Sequence, residues 1–459
     1  MTHYHFIGIG GAGLAPIARV LLERGDHISG SDIALSPTAK ALQQDGVVIS
    51  IGHREENVMN ADLVIRSSAI SDQNPEVVAA NQAGIPVLKR KDLLPSLTSE
   101  AYVIAVAGTH GKTTTTAMLA WCLTEMGKDP SYIIGGISSN LGNDAHAGKG
   151  GIFVIEADEY DYMFLGLSPD ILIITNIEHD HPDQFRTQEE YLGAFQKLVE
   201  RIRPDGVLIT CTDDPGVLNL QKTIEKPITR ISYGQNPPVD YQITQIQHIP
   251  GGGVSFGLKS DDLPNEVIPL CIPGAHNAFN ACAALAAIRQ IQHGLFQDAL
   301  HAIKQYSGTS RRFEIIGKVN GITIIDDYAH HPSQIRSTIH AARCQYPQQT
   351  IWAVWQPHTF SRTRTLLNEY AESFAACDHV IVTEIYAARE QDTGFSAQQV
   401  VDKMNHKDAR FIPSLNDAAR YLNQNLTSGD ILLVLSAGDA TQISQEVLDY
   451  LEGGNSGHG

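Results

Sequence analysis

The chain has 459 residues, of which 42% are hydrophobic and 18% are charged. This composition is typical of a folded globular protein and excludes a disordered chain, and the length predicts about three domains. The formal net charge of −18 excludes a broadly basic surface for nucleic acid. No apolar run reaches the roughly 20 residues of a membrane-spanning helix. A strand-like segment begins so close to Met1 that no signal peptide is expected, so we predict a cytoplasmic protein with no nucleic-acid or membrane partner.

Residues 1–98 form the first predicted domain, in which strand and helix signals alternate. Strands are predicted at Tyr4–Ile9, Ile28–Ser31, Ala61–Ile70 and Ile85–Leu88. Ala12–Glu23 has helical periodicity. Leu94–Glu100, which contains Pro95, is predicted to be a linker.

A first glycine loop, G-I-G-G-A-G from Gly8 to Gly13, stands between the first strand and the first helix. In this context a G-x-G-x-x-G loop binds a pyrophosphate, because glycines allow close approach and the helix N-terminus offers free N–H groups. Asp32 ends the next predicted strand, where an NAD-binding protein has its ribose ligand. A tight turn without a ligand is the alternative.

Residues 99–309 form the second predicted domain. Its strands are predicted at Tyr102–Ala107, Gly151–Glu156, Ile171–Asn176 and Val207–Thr210. The stretch Tyr233–Pro273 is rich in proline and glycine and predicts hairpins. Elsewhere the alternation of strands and helices predicts parallel α/β sheets throughout the chain.

A second glycine loop, G-T-H-G-K-T-T-T-T, follows directly after the strand that ends at residue 107. Val106 stands where a strict Walker A motif has glycine, so the standard pattern fails. The working parts remain, because Gly108 and Gly111 can form an anion-binding nest, Lys112 can reach phosphates and Thr113 can coordinate Mg²⁺. We expect a nucleotide triphosphate at this loop.

Acidic and histidine residues follow two later strands, in Glu156–Glu159 and in Thr175–His181. The carboxyl ends of parallel strands meet at one crevice, beside the second loop. Carboxylates and imidazoles there suit Mg²⁺ that bridges ATP oxygens. A zinc site at His179 and His181 lacks a cysteine or a spaced histidine set. An ordinary solvated acidic loop remains the alternative.

Residues 310–459 form the third predicted domain, which ends in a tail, Gly453–Gly459, predicted to be disordered. Its strands are predicted at Gly321–Asp326, Ile351–Gln356, Val380–Ile385 and Ile431–Ser436. Two strand ends carry D-D-Y-A-H-H-P from Asp326 and Q-P-H-T-F-S-R-T-R from Gln356. Arginines in these segments suit bidentate contact with phosphate or carboxylate groups.

Taken together with G-A-H-N-A-F-N-A from Gly274, these segments occur in an order that resembles the Mur ligase family, from Met1 to Leu451. The resemblance implies three α/β domains: an N-terminal Rossmann-like parallel sheet, a central P-loop-type ATPase domain and a Rossmann-like C-terminal domain that closes over the others. It implies ATP-dependent formation of an amide bond. The form D-D-Y-A-H-H-P looks like the branch that joins L-alanine to UDP-N-acetylmuramate, or like its peptide-recycling relative, and the first loop resembles the L-alanine branch rather than the recycling one.

The resemblance also implies roles for individual residues. ATP is expected at Gly108, Thr109, His110, Gly111, Lys112, Thr113, Thr114, Asn277, Arg312 and Asp326. Magnesium is expected at Thr113, Glu156 and His181. The sugar nucleotide and the amino acid are expected at Gly10, Gly11, Ala12, Gly13, Asp32, His53, Ser68, His330 and Arg362. The groups expected to act in catalysis are Lys112, Glu156, His181, His330 and Arg362.

Several points stay open in the sequence. Asn277 has a plain helix N-cap as its alternative role, and His330 or His331 is a candidate base. Thr359 stands where some relatives of the L-alanine branch have arginine, and Lys197 is predicted to be a surface lysine rather than a carbamoylated one. The alternatives in function are a ligase that recycles cell-wall peptides, a nicotinamide-dependent oxidoreductase and a nucleotide-gated binding protein. A monomer or weak homodimer is expected.

Overall fold

A computed structural model describes residues 1–261, 263–391 and 394–453. These described residues form three β-sheets that carry helices. The tail predicted to be disordered begins at Gly453, and for Gly453 the prediction is wrong, because this residue ends a helix that spans Thr441–Gly453. The rest of the predicted tail, residues 454–459, lies outside the described part of the chain. Among the described helices, none has the length and apolar character needed to cross a membrane.

The first sheet is parallel, with the strand order β3-β2-β1-β4-β5. Its elements are β1 His3–Ile7, α1 Ala15–Glu23, β2 His27–Asp32, α2 Pro37–Gln44, β3 Val48–Ile51, β4 Leu63–Arg66, α3 Pro75–Gln82, β5 Val87–Lys89 and α4 Arg90–Thr98. The central strand β1 is covered on both faces, because Phe6 and Ile7 point to opposite sides and both are fully buried. The first glycine loop therefore lies at the carboxyl end of the central strand.

The predicted linker at Leu94–Glu100 is wrong, since most of it belongs to the helix α4. Leu93, Leu94 and Leu97 are buried in one core cluster with residues of the middle domain. Burial of these three side chains outweighs the helix-breaking tendency of Pro95. The helix α4 consequently packs the first domain against the second.

The middle sheet has the strand order β15-β14-β13-β12-β11-β10-β6-β9-β7-β8 among the described residues. Its elements are β6 Tyr102–Ala107, α5 Lys112–Glu125, β7 Ser131–Ile133, β8 Ala145–His146, β9 Ile152–Glu156, β10 Ile171–Ile174, α6 Gln188–Val199, β11 Val207–Cys211, α7 Pro215–Gln221, β12 Thr229–Gly234, β13 Tyr241–His248, β14 Val254–Ser260, β15 Leu263–Leu270, α8 His276–Ile291 and α9 Phe296–Ile303. The hairpins predicted in Tyr233–Pro273 are confirmed by the antiparallel pairs β13–β14 and β14–β15.

The third sheet has the strand order β16-β17-β21-β18-β19-β20 in the described part of the chain. Its elements are β16 Glu314–Val319, β17 Ile322–Asp327, α10 Pro332–Gln345, β18 Ile351–Gln356, α11 Phe360–Thr365, α12 Leu367–Ala371, β19 His379–Val382, α13 Gln398–Val401, β20 Ala409–Phe411, α14 Leu415–Asn425, β21 Ile431–Ser436 and α15 Thr441–Gly453. The expectation of parallel pairing throughout is wrong for β16–β17 and for β7–β8, which are antiparallel. A strand and its neighbour joined by a tight turn pair in this way, as β16 and β17 do.

The registers of the middle sheet bring the predicted site segments together. Val106 in β6 pairs with Glu156 in β9, and Ala107 pairs with Ile174 in β10. The three strands therefore end at the same level, beside the second glycine loop. The α/β class with three sheets, predicted from the sequence, is confirmed.

Candidate active site between the three domains

The second glycine loop connects β6 to α5 and is held by the segment after β10. Thr175 Oγ1 donates to the carbonyl oxygen of His110 at 2.6 Å, and the His110 N–H donates to Asn176 Oδ1 at 2.8 Å. Gly108 and Gly111 have φ of +131° and +82°, which side chains rarely adopt. Protein contacts alone thus fix the shape of this loop.

Lys112 begins α5 and points back across the loop. Its Nζ donates to the Gly108 carbonyl oxygen at 2.6 Å and to Glu159 Oε2 at 2.9 Å. Burial works against the charge of Lys112, but Glu159 and Glu156 raise its pKa above the ordinary value. Lys112 is therefore a fixed positive charge, and a triphosphate has to compete with Glu159 for it.

Oxygen ligands of the kind that Mg²⁺ prefers lie at the start of α5 and the end of β9. Thr113 Oγ1 lies 3.2 Å from Glu156 Oε1, and the Gly135 N–H donates to Glu156 Oε2 at 2.7 Å. Burial raises the pKa of Glu156, although Lys112 and Arg312 oppose the shift. This buried carboxylate has too little positive charge around it, so its surroundings fit a cation.

The third predicted magnesium ligand, His181, belongs to a neighbouring group of side chains. His181 Nε2 lies 3.6 Å from Glu159 Oε1, so Glu159 links it to Lys112. The backbone of His181 has φ of +54°, an uncommon conformation for a residue other than glycine, and such strain often marks a functional site. The Tyr191 hydroxyl also donates to Glu159 at 3.1 Å.

A buried ion pair joins the middle domain to the third. Arg362 Nε donates to Asp180 Oδ1 at 2.7 Å, and both side chains are less than 5% exposed, at 3% and 4%. Although burial acts in the opposite direction, Arg362 holds the pKa of Asp180 well below its usual range. The other guanidinium nitrogens lie 3.1 Å from His358 and 3.4 Å from His181. In this conformation Arg362 orients histidines instead of facing an open cavity.

His330 stands beside this ion pair, with its Nε2 4.0 Å from Asp180 Oδ2. Burial, and then Arg362, lower the pKa of His330 well below the ordinary value, so the imidazole is neutral at pH 7. Burial likewise lowers the pKa of His331 to about 4. Both candidate bases are therefore unprotonated before the reaction, which is the state in which a base can accept a proton.

A second contact between the middle and third domains is formed around Glu178. Its carboxylate lies 2.7 Å from His110 Nε2 and 3.4 Å from His331 Nδ1, and it accepts a hydrogen bond from Ser333 Oγ at 3.0 Å. Although burial opposes the shift, the hydrogen bond with His110 lowers the pKa of Glu178 to about 2. The second glycine loop is thus coupled to the N-terminus of α10.

A cavity of about 400 Å³ lies between the second loop, α8 and the third domain. The predicted ATP-binding residues that line it are His110, Gly111, Thr114, Asn277 and Arg312. Ala275, not Asn277, is the N-cap of α8, and the Asn277 Oδ1 instead accepts a hydrogen bond from Asn280 at 3.0 Å. The alternative role of Asn277 as an N-cap is therefore wrong.

The two aspartates that end β17 are placed differently. Asp327 lines the cavity and accepts hydrogen bonds from the N–H groups of Phe313 and Ala329, both at 2.7 Å. Asp326, the predicted residue, lies 3.5 Å from Arg311 and accepts from Ser444 at 3.2 Å. Burial raises the pKa of Asp326 to about 6.

A second cavity, of about 320 Å³, lies at the first glycine loop. Its lining includes the predicted residues Gly11, Ala12, Gly13 and Ser68, together with Arg90, Glu156 and Asp158. The helix α4 aims Arg90 at this cavity, and Arg90 Nη2 donates to Asp158 at 3.1 Å. The first loop thereby shares a cavity with the carboxylate that ends β9.

The other predicted residues of the first domain are engaged within the protein. Asp32 Oδ2 accepts a hydrogen bond from the Gly10 N–H at 2.9 Å. His53 lies 3.3 Å from Glu76, whose side chain is fully buried. Asp32 and His53 therefore support the loop and the sheet in this conformation, and their role with a ligand stays a prediction.

Thr113 lies between the two cavities and contacts one lining residue of each. On one side it contacts Glu156, which lines the cavity of the first loop. On the other side its Oγ1 lies 3.4 Å from Arg312 Nη2, and Arg312 lines the cavity of the second loop. Thr113 thus connects the linings of the two cavities.

Three family models match consecutive parts of the chain: the Mur ligase family catalytic domain at residues 3–102, the Mur ligase middle domain at 106–288 and the Mur ligase glutamate ligase domain at 311–438. The chain belongs to the Mur ligase family. The UDP-N-acetylmuramate–L-alanine ligase of Caldanaerobacter subterraneus subsp. tengcongensis is 39% identical over 449 residues, which cover 97% of each chain. The enzyme of the same name from Desulforamulus reducens is 40% identical over 456 residues, 98% of this chain and 97% of its own.

Solved structures of the Mur ligase family show the same arrangement. The UDP-N-acetylmuramate–alanine ligase of Thermotoga maritima superimposes with a TM-score of 0.84 at 27% identity, over 99% of this chain and 100% of that one. A murein peptide ligase of Psychrobacter arcticus gives a TM-score of 0.74 at 27% identity, over 98% and 99% of the two chains. The predicted family and fold class are confirmed, whereas the boundaries after residues 98 and 309 and the roles of single residues stay predictions.

Sequence reasoning did not single out several residues of this Mur ligase site. Arg90 is not predicted, because the predicted linker covers most of its helix α4. The basic run from Lys89 to Lys91 is the one local signal of an anion-binding group there. Asp180 lies inside the predicted segment Thr175–His181, but its partner Arg362 in the third domain is 182 residues away in sequence. Lys197 is exposed on α6, as predicted.

Proposed function

We propose that this Mur ligase joins L-alanine to the lactoyl carboxylate of UDP-N-acetylmuramate, with ATP converted to ADP and phosphate. The observation that carries the proposal is the position of Thr113, which contacts one lining residue of each of two cavities, and each cavity is built around its own glycine loop. Relatives 39–40% identical over 97–98% of this chain are UDP-N-acetylmuramate–L-alanine ligases. A two-cavity site suits a reaction in which a nucleotide-linked acid meets a triphosphate.

The sugar nucleotide belongs in the cavity of the first loop. Gly11 and Gly13 have no side chains that would block a diphosphate. A Cβ at Gly13 would collide with the Arg90 guanidinium, so this guanidinium lies directly against the loop. Arg90 supplies the positive charge for that diphosphate. The acidic end of the sugar nucleotide then points towards Glu156 and Thr113, where β9 ends.

ATP belongs in the cavity of the second loop, with its phosphates at the N-terminus of α5. We assign Lys112 and Arg312 to the β- and γ-phosphates. Arg312, Asn277 and Asp327 line the cavity. The Glu159 carboxylate holds Lys112 in place until the nucleotide arrives. Thr113 and Glu156, with His181 nearby, would hold Mg²⁺, which supplies charge that offsets repulsion between the carboxylate and the triphosphate.

The reaction proceeds in two steps. A lactoyl carboxylate oxygen attacks the γ-phosphorus and ADP leaves, which gives an acyl phosphate. The uncharged amine of L-alanine then attacks the acyl carbon, and phosphate leaves with the carboxylate oxygen. Lys112 and Arg312 stabilise charge on the transferred phosphoryl group, and electrostatic positioning is the main source of acceleration in such transfers.

The amine loses a proton before or during its attack, and we assign the acceptance of this proton to His330, whose imidazole is neutral. Asp180, 4.0 Å away, stabilises the imidazolium that results. The acyl phosphate hydrolyses readily, so the third domain must exclude water while it exists. The buried Arg362–Asp180 pair closes that side of the site.

A ligase that adds a recycled cell-wall peptide to the same sugar nucleotide is the second candidate, because the Psychrobacter arcticus murein peptide ligase shares the fold at 27% identity. The first loop, G-I-G-G-A-G, favours the L-alanine branch. A cytoplasmic location forms part of the proposal. A monomer or weak homodimer stays a prediction.

The test is release of phosphate from ATP in the presence of UDP-N-acetylmuramate and Mg²⁺, with L-alanine, glycine, L-serine or the cell-wall tripeptide as the amine. We expect the highest kcat/KM with L-alanine. Glycine and L-serine should be about 10- to 200-fold poorer, because a difference of one small group is worth about 1–3 kcal/mol. Release with the tripeptide alone would establish the recycling activity, and release with none of the amines would refute both.

A further inference from the structure

Two histidines and a cysteine meet at a contact between the middle and third domains, away from the active site. His248 is the last residue of β13, whereas His340 and Cys344 lie one turn apart on α10. One ligand atom from each residue lies within 4.8 Å of the other two. The described lining residues of the two substrate cavities include none of the three.

The spacing within α10 suits a metal ion. Residues four positions apart lie on one face of a helix, so an imidazole and a thiol can bind the same ion. Cys344 Sγ lies 3.5 Å from His340 Nε2. Tetrahedral zinc with Zn–S of about 2.3 Å and Zn–N of about 2.0–2.1 Å places these two atoms about 3.6 Å apart. The pair already has the separation that a shared ion requires.

The third ligand comes from the other domain. After His248 the chain turns through Gly251, Gly252 and Gly253, all with positive φ. A Cβ added at Gly252 would lie 3.2 Å from Gln345 Nε2, so the tip of this hairpin lies against the end of α10. The ligand atom of His248 lies within 4.8 Å of the other two, so this exposed side chain needs a shift of at most about 1.5 Å to complete a tetrahedral site.

The two histidines are exposed and Cys344 is partly exposed, so an ion can enter from solvent. Burial, and then His340, lower the pKa of His248 below its ordinary value, which favours the neutral imidazole that binds metals. Burial raises the pKa of the Cys344 thiol, which works against the thiolate, so a bound cation has to displace the thiol proton. One thiol and two imidazoles select zinc-like ions over Mg²⁺, which prefers oxygen.

We propose that His248, His340 and Cys344 bind a thiophilic divalent cation such as Zn²⁺, with water as the fourth ligand. The ion ties the β13–β14 hairpin of the middle domain to α10 of the third domain. The site is distinct from the oxygen-rich site at Thr113 and Glu156, and it does not depend on which amine the enzyme uses.

The test uses the whole protein, stripped of metal with a chelator and then supplied with saturating Mg²⁺. Titration with Co²⁺ is followed by the near-ultraviolet absorption of a cobalt–thiolate bond, and Zn²⁺ is then added as a competitor. The variants are Cys344→Ser, His340→Ala and His248→Ala. Cys271→Ser is the matched control, because Cys271 is another exposed cysteine. Circular dichroism verifies that each variant is folded.

We expect one equivalent of Co²⁺ to give the band in the unchanged protein and in Cys271→Ser, and Zn²⁺ to remove it. The band should vanish in Cys344→Ser. The affinity for Co²⁺ should fall at least about 100-fold in His248→Ala and in His340→Ala. Both side chains bind the ion directly in the proposal, and loss of an outer-shell partner alone costs up to about 100-fold. Absence of the band in the unchanged protein would overturn the proposal, leaving only a hydrogen bond between Cys344 and His340. Equal affinity in His248→Ala would overturn the link between domains.

Discussion

Both glycine loops connect a buried parallel strand to a helix, but only the second carries its own cation. Lys112 follows the second loop directly and is held by Glu159. The first loop depends on Arg90, which another helix supplies. In the proposed function the same backbone device serves two purposes: the first loop would bind a diphosphate that does not react, and the second would handle a phosphoryl group that does.

The largest effect is expected from Lys112→Ala, which removes the cation of the second loop. We expect kcat for phosphate release to fall by about 10²–10³, the range for loss of one group that stabilises transition-state charge. The measurement is steady-state kinetics with both nucleotides saturating. Lys197→Ala is the matched control, since Lys197 is an exposed lysine of the same domain, and its kcat should stay within about twofold. Equal losses in both variants would contradict a specific role.

The next effect is expected from Arg90→Ala, which removes the cation of the first loop. Loss of a hydrogen bond to a charged group costs about 1.5–3 kcal/mol, so KM for the sugar nucleotide should rise about 10- to 100-fold. KM for ATP and kcat should change little. Lys91→Ala, at the exposed neighbouring position, is the control. A rise in KM for ATP instead would erase the proposed division between the loops.

As the pH falls, the start of α10 in the third domain should lose stability before the first domain does. Burial lowers the pKa of His331 to about 4, so the folded state loses stability as the pH falls from about 6.5 to 4, by up to roughly 3 kcal/mol. Glu76 in the first domain has a pKa of about 2: burial opposes this shift, but the nearby imidazole of His5, at 3.7 Å, and a hydrogen bond from Ser31 lower the pKa. Its stabilisation is lost only between about pH 4.5 and 2.

The measurement is hydrogen exchange at pH 7 and pH 5, corrected for the intrinsic exchange rate. Peptides that contain the start of α10 should lose protection at pH 5, while peptides of β2 and α3 keep theirs. In His331→Asn the difference should shrink, because asparagine does not titrate and is a good helix N-cap. Earlier loss of protection in the first domain would contradict the assignment.

The smallest effect is expected from Asp32→Asn. The asparagine oxygen still accepts the Gly10 N–H, so KM for the sugar nucleotide should rise no more than about threefold. Asp32→Ala removes the acceptor and should have the larger effect of the two. A loss of 100-fold or more in Asp32→Asn would mean that the carboxylate itself contacts the ligand, as in a dinucleotide-binding protein.

The sequence was most informative where function and local structure coincide. Buried strands such as Ile351–Gln356 were predicted to the residue, because apolar runs flanked by polar residues are a local signal. The helix α4 was missed, because its stability comes from packing of Leu93 and Leu97 against another domain. A single-sequence pattern does not contain that contact.

The site followed the same division. The segments around Lys112 and Glu156 could be placed together, because parallel strands end at one edge. The contact between Asp180 and Arg362 could not be predicted, because it depends on how two domains dock. Asp326 and Asp327 are neighbours on β17, and neighbouring residues of a strand point to opposite faces. The sequence does not say which face borders the cavity, so only the structure shows that Asp327 lines it.

The most direct test follows the carboxylate oxygen. UDP-N-acetylmuramate labelled with ¹⁸O in its lactoyl carboxylate is incubated with ATP, Mg²⁺ and L-alanine in unlabelled water, and the phosphate is analysed by ³¹P NMR. If the acid held by the first loop is phosphorylated at the second, each phosphate carries one ¹⁸O from the carboxylate. Phosphate without the label would show that the carboxylate never attacks ATP, and would contradict the account of both loops.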